Sequence, residues 1–345
     1  MVAAGSLLDF VLKEHAFSMP VGRVAYCFAG PMTFPEYLEA HGEERLLNRL
    51  SAWRPGLEWS QAAHERAEEW FHRFLMVGGM PAVVAADVAG AEAHEVRRLQ
   101  RDLLASYRDD FAKYTGRMEP RILDRVLFAI VGALGQKLVY ARISDGVKQH
   151  QAKHALELLE MARLCRIIRY STANGLPLGA QVKDSSRKAT LLDIGLVHAL
   201  LGTPAGSRFP AWTTLSPQVR GQLIEQAAGQ QLAALGEDPC DERTLFYWQR
   251  EGGRAGEVDL VLQLDQRIVP VELKAGAAGA MKSLHQFMVD KSLDLAVRLD
   301  ANAPSIQDLD LKTTQGDRAQ YRLVSLPHHL AWNLPAILAS LRPPS

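Results

Sequence analysis

The chain has 345 residues, 48% hydrophobic and 23% charged, with 39 basic and 39 acidic side chains for a formal net charge of zero. That length suits two or three domains, the apolar content excludes wholesale disorder, and the charge balance leaves any nucleic-acid contact to a local basic face. Three widely spaced cysteines without a CxxC pair argue against a zinc site and a disulfide framework and fit a reducing cytoplasm; no run of about 18 apolar residues predicts a membrane span, and the N-terminus lacks the basic start of a signal peptide.

Residues 1–40 read as the end of a short strand (VAAGSLL), a helix through about Glu14, an extended segment (PVGRVAYCFAG) and a helix entered through Pro35. AAHERAEEWFHRFLMVGG spaces its apolar residues as a helix and stops at Gly78–Gly79, and AEAHEVRRLQRDLLASYRDDFAKY reads as a long amphipathic helix. Then come an apolar helix (PRILDRVLFAIVGALGQ), a short helix ending near Gly146, a third helix (KQHQAKHALELLEMARL), a strand (CRIIRYST) and a strand running into a helix (KATLLDIGLVHALLG). Three helices followed by two strands around a Gly/Pro/Asn-rich tip is the order of a winged helix. Residues 203–216 are rich in Pro, Gly, Ser and Thr and read as a linker. Beyond it the pattern is α/β: a helix (VRGQLIEQAAGQQLAAL), a strand (TLFYWQRE), a hairpin of GEVDLVLQLD and QRIVPVELKAG, a helix (AMKSLHQFMVDK), and the strands LDLAVRLD and QYRLVSLP.

The hairpin carries the chemistry. Glu272 and Lys274 stand one residue apart on a strand, so their side chains share a face, and the preceding strand can bring Asp259 beside Glu272. Two carboxylates and one ammonium would converge at a sheet edge. Converging carboxylates repel, which a divalent cation relieves, and hard oxygen donors suit Mg2+. Such an ion activates water and stabilises charge on a phosphodiester, while a neighbouring lysine orients the water. A bare E-x-K is more often an ordinary solvated strand; the D-x(12)-E-x-K spacing over two adjacent strands, with Glu225 and Gln286 on the flanking helices, favours the site.

Over roughly residues 216–300 this arrangement resembles the PD-(D/E)XK nuclease superfamily. Asp259 in GEVDLVL and Glu272–Lys274 in VPVELKAG match the core motif, although Val258 stands where the motif has proline. Glu225 in GQLIEQAAG resembles its helical acidic residue, and Gln286 in SLHQFMVDK its helical glutamine. The resemblance implies Mg2+ held by Asp259 and Glu272, and water activation by Lys274. More widely, the order of AGSLL, PVGRV, PMTFPEYL, FLMVGGMPAVV, RDDFAKY, LLDIGLVHALL and the hairpin is similar to a prokaryotic family of ATPases. Its members pair an N-terminal AAA-type domain with a C-terminal domain of unknown function (number 4143). No Walker A P-loop occurs, so ATP is not expected here as a cofactor. Gly5–Ser6 then resembles a sensor segment and Arg23 an arginine finger, although Arg23 reads more simply as a surface residue after a turn.

The expected fold is thus multidomain α/β: a truncated AAA-like remnant with helical lid (1–115), a winged helix (116–205) and a PD-(D/E)XK-like domain (216–330). A winged helix would reach DNA through Lys148, Gln149, Gln151 and Lys153; as a protein-contact module it would leave them solvated. His150 and His154 share a helix face without an HExxH or a third ligand, and no serine sits in a nucleophile elbow. Two functions follow. One is a Mg2+-dependent nuclease or nuclease-derived DNA-binding module. The other is a non-catalytic module of an ATPase, regulatory or binding a protein partner. An ATPase in its own right is a weaker third, since it needs a nucleotide site that the sequence does not contain.

Overall fold

The structure is a computed structural model that describes residues 27–112, 118–140, 143, 146–236, 242–250, 256–264, 266–277 and 279–341. The expectations for residues 1–26, with Gly5–Ser6 and Arg23, lie outside the described residues, as does part of the short helix expected before Gly146.

Among the described residues, eight α-helices are found up to Leu201, seven of them before the first strand. Helix α1 (Phe34–Ala40) enters through Pro35, with the Thr33 backbone N–H donating to Glu36 Oε2 at 2.6 Å. Helix α2 (Glu44–Ala52) leads to α3 (Gln61–Val77), which ends where Gly78 adopts a positive φ of 81°. Helices α4 (Pro81–Val88), α5 (Ala93–Ala112), α6 (Pro120–Gly132), α7 (Gln149–Met161) and α8 (Ile194–Leu201) complete the set. Phe34 meets Phe71 edge-on at 5.2 Å between ring centroids, so α1 and α3 share an aromatic core.

Strands β1 (Cys165–Ser171) and β2 (Val182–Leu191) precede α8. Helix α9 (Pro217–Ala233) then leads to β3 (Phe246–Gln249), β4 (Glu257–Leu264) and β5 (Arg267–Leu273). Helix α10 (Lys282–Asp290), β6 (Leu295–Asp300), β7 (Ser305–Lys312), β8 (Arg318–Pro327) and α11 (Leu334–Ala339) follow. The eight strands among the described residues join one sheet in the order β2-β1-β3-β4-β5-β6-β8-β7. The expected wing strands β1 and β2 therefore continue the sheet that carries the D/E-x-K hairpin, through parallel pairing of β1 with β3 at Arg169↔Phe246 and Tyr170↔Tyr247. Strands β4 and β5 lie at its centre. This corrects the expectation of a site at a sheet edge: β3, β1 and β2 extend one side, and β6, β8 and β7 the other.

Strand β7 was not expected, because its apolar residues Ile306, Leu309 and Leu311 are spaced among Gln307, Asp308 and Asp310 and form no apolar run. It is an exposed edge strand whose Asp308 and Asp310 pair with Arg322 and Arg318 on β8, and these charges disfavour further pairing. The cysteine expectation also needs correction. Cys165 is a buried free thiol, but Cys27 is disulfide-bonded, since separation in sequence does not fix separation in space.

Three buried glutamines on α9 fasten the two halves. Gln226 brackets one residue of β2, accepting from the Leu191 N–H and donating to the Leu191 carbonyl, both at 2.9 Å. Gln230 accepts from the Ile194 N–H and donates to Asp193 Oδ2, while Gln231 accepts from the Phe34 N–H. Asp193 is fully buried; its oxygens also accept from the N–H groups of Gly79 at 2.7 Å and Gly195 at 2.8 Å. A side chain at Gly79 would begin 2.1 Å from the Met32 carbonyl oxygen, so glycine is required at this crossing. Replacing Asp193 by alanine strands three buried donors; we expect urea denaturation to register a loss of roughly 3 kcal/mol or more. A loss below 1 kcal/mol, on the order of an exposed substitution, would refute this role.

Candidate functional site

The β4–β5 hairpin pairs Leu260 with Val271 and Leu264 with Arg267, which sets Asp259 beside Glu272. Asp259 Oδ2 accepts from the Leu273 N–H at 2.7 Å, and Lys274 Nζ donates to Glu272 Oε1 at 2.5 Å. The other Glu272 oxygen, Oε2, is buried without a hydrogen-bond partner, and the residue as a whole is only 6% exposed. A side chain at Gly279 would begin 2.5 Å from Lys274 Cδ, so this glycine leaves room for the lysine stem.

Glu225 comes from α9. Its carboxylate lies against Gly135, where a Cβ would stand 2.5 Å from Oε1. It is within electrostatic reach of Asp259, Glu257 and Glu272. The sequence reading missed two members of this cluster. Glu257 is two residues before Asp259 and so shares its strand face. Lys188 on β2 is 2% exposed and forms a 2.5 Å ion pair with Glu257. Glu257 could have been found from that two-residue spacing, whereas Lys188 has no local signature.

Burial raises the carboxyl groups. Glu272 is pushed up to about 7 by burial and then by Asp259, against the pull of Lys274. Glu225 is also raised to about 7 by burial, with Lys188 opposing and the neighbouring carboxylates adding. Asp259 is raised by burial, opposed by Lys188 and by the Leu273 N–H. For Lys188, burial lowers the value, but Glu225, Glu257 and Asp259 together outweigh it and hold it above the usual lysine value. Among the described residues, no three carboxylate, imidazole or thiol groups stand close enough to form a ready-made metal cage. Mg2+ does not require one, since it binds through one or two carboxylates and keeps several waters. The unpartnered Glu272 Oε2 beside Asp259 fits that donor set.

The remaining candidates lie apart from the cluster in their bonding. Gln286 is buried on α10, where its Nε2 donates to Asp290 and Asp317 at 2.8 and 2.9 Å. At the start of α7, Gln151 Oε1 accepts from the Lys148 N–H at 3.1 Å, and Lys153 is 4.0 Å from Glu157. Lys148, Gln149, His150, Lys153 and His154 are exposed. His328 is absorbed structurally: its Nε2 donates to the Lys274 carbonyl at 2.8 Å.

Residues 68–207 match the family model described as Domain of unknown function (DUF8612), and residues 220–306 that described as Domain of unknown function (DUF4143). The second match is the domain of unknown function 4143 expected at this end of the chain, and it spans Glu225, Glu257, Asp259, Glu272, Lys274 and Gln286; Lys188 falls in the first. Neither is an AAA-type ATPase or nuclease model, and no curated protein and no solved structure is matched. No helix among the described residues is long and apolar enough to cross a membrane.

A glutamate whose folded value is raised holds a proton that the unfolded chain releases. The associated stability is complete below the unfolded value of 4.5 and is lost as pH rises through about 7. Glu272→Gln stays neutral throughout. In chelator, urea denaturation should show wild type losing on the order of 2 kcal/mol relative to this variant between pH 4.5 and 7.5. A constant difference over that window would refute the assignment.

Proposed function

We propose that the cluster at the centre of the sheet is a divalent-cation site of PD-(D/E)XK type acting on phosphodiesters, in a chain related to AAA-type ATPases. The observation that carries this reading is the buried Glu272 Oε2, unpartnered beside Asp259, in a carboxylate pair that is costly without a cation. Asp259 and Glu272 would hold Mg2+, which when bound polarises a phosphoryl oxygen and acidifies water. The chain's own residues orient that site. The Leu273 N–H fixes the Asp259 carboxylate, and Lys274 Nζ, on Glu272 Oε1, is placed to hold a water by hydrogen bonding. Glu225 assists from α9 by adding negative charge behind the pair. Gln286 acts at a distance, tying α10 to Asp317 before β8 rather than touching the carboxylates. In this reading α6, α7, β1 and β2 form a winged-helix-like unit, and Lys148, Gln149 and Lys153, exposed at the start of α7, contact DNA.

The ion pair of Lys188 with Glu257 favours a second reading, in which the nuclease-type fold binds a partner without cleaving. An internal cation already offsets part of the charge that a metal would neutralise. A cleavage assay with Mg2+ or Mn2+ on single- and double-stranded DNA separates the two. Wild type should cut, and Asp259→Ala and Lys274→Ala should each lose on the order of 100-fold or more in rate. Equal rates in all three proteins would overturn the catalytic reading.

A further inference from the structure

One buried charge of the cluster, Lys188, comes from outside the D/E-x-K motif. Lys188 sits opposite Ile168 in the β1–β2 ladder, and two strands, β1 and β3, separate β2 from β4 in the sheet. Its side chain nevertheless reaches Glu257 on β4, with Nζ 5.3 Å from the centroid of the Tyr247 ring on β3. Burying a lysine costs ammonium hydration and the entropy of a long chain, so a buried lysine in this position requires compensating negative charge. Glu257, Glu225 and Asp259 supply it.

The two lysines divide the carboxylates between them. Lys274 engages Glu272, and Lys188 engages Glu257 while facing Glu225 and Asp259. With every group ionised, four carboxylates against two ammonium groups leave two negative charges unbalanced. Glu272 Oε2 is the carboxylate oxygen of this group that is buried without a hydrogen-bond partner, and so the one from which a cation would remove an unmet charge.

We infer that Lys188 is a resident counter-cation that sets the affinity of the site for a divalent ion, competing from β2 for the carboxylates that would hold the metal. The inference deepens the cation-site reading and rests on it. It makes the strands matched to one family model control a site lying in the other. Lys188 is a positioning residue: it acts through the carboxylates.

Loss of a merely structural lysine would weaken ion binding, whereas loss of a competitor strengthens it. Mn2+ binding to the full chain is measured by calorimetry and by electron paramagnetic resonance of the free ion, for wild type, Lys188→Met and Lys188→Arg. Lys188→Met should bind about tenfold more tightly than wild type, and Lys188→Arg, which keeps the charge, should bind as wild type does. Lys188→Gln takes the place of Lys188→Met if the apolar variant does not fold. Equal or weaker binding by the neutral variant overturns the inference and leaves the catalytic reading intact. Tighter binding without DNA cleavage by any variant supports the inference and retires the catalytic reading. Absence of Mn2+ binding in every variant overturns both.

Discussion

The parallel pairing of β1 with β3 is the constraint on which the site depends. Only two residue pairs define it, Arg169↔Phe246 and Tyr170↔Tyr247, yet it converts a hairpin and a six-stranded sheet into one surface. Without it β2 would be a free wing and Lys188 would bring a charge to no carboxylate. With it, the Tyr170 and Tyr247 rings meet at 5.8 Å between centroids, and Lys188 reaches β4 with its Nζ 5.3 Å from the centroid of the Tyr247 ring. A parallel pair cannot be closed by a tight turn, so its long connection runs through β2, α8, the 203–216 segment and α9. That connection must be anchored, and the glutamines of α9 do so.

Their geometry explains why the first half is not simply appended to the sheet. Gln226 holds the last residue of β2, Gln230 holds the start of α8 through Ile194 and Asp193, and Gln231 holds the start of α1. Asp193 in turn collects the Gly79 N–H from the end of α3. Each bond satisfies a backbone or side-chain polar group that would otherwise be buried unpaired, at a cost of about 1–3 kcal/mol. Glu225, on the same helix, is thereby placed against Gly135 and within reach of Asp259 and Glu272. The helix that fastens the fold is also the helix that delivers a carboxylate.

The hairpin was legible because its information is local. A short turn between two alternating strands forces Asp259 beside Glu272, and the one-residue gap forces Lys274 onto the same face. The helix stop at Gly78 and the entry through Pro35 were legible for the same reason. Lys188 was not: within SSRKATLL it has the character of a solvated strand lysine, and its partner lies on the far side of two strands. The central position of β4 and β5 was equally hidden, because it depends on long-range pairing. Strand β7 was missed because its few apolar residues are broken up by Asp308 and Asp310, charges that suit a sheet edge. The buried glutamines of α9 were missed because hydrophobic patterning assigns polar residues to solvent, and here they replace backbone partners.

The two lysines are also physically different groups, which bears on what the site can do. Lys274 lies just past the end of β5, its carbonyl held by His328. Burial lowers His328 to about 4, so its imidazole is neutral and donates from Nε2 near neutral pH. The Lys274 backbone is pinned while its side chain, partly exposed and given room by Gly279, can exchange Glu272 for water or a phosphate oxygen. Lys188 is restrained at both ends, by the β1–β2 ladder and by Glu257, and is enclosed throughout its length. A lysine that can leave its carboxylate can take part in chemistry at the surface of the cluster. A lysine that cannot leave contributes a fixed field, and the same carboxylates therefore face one adjustable and one permanent positive charge.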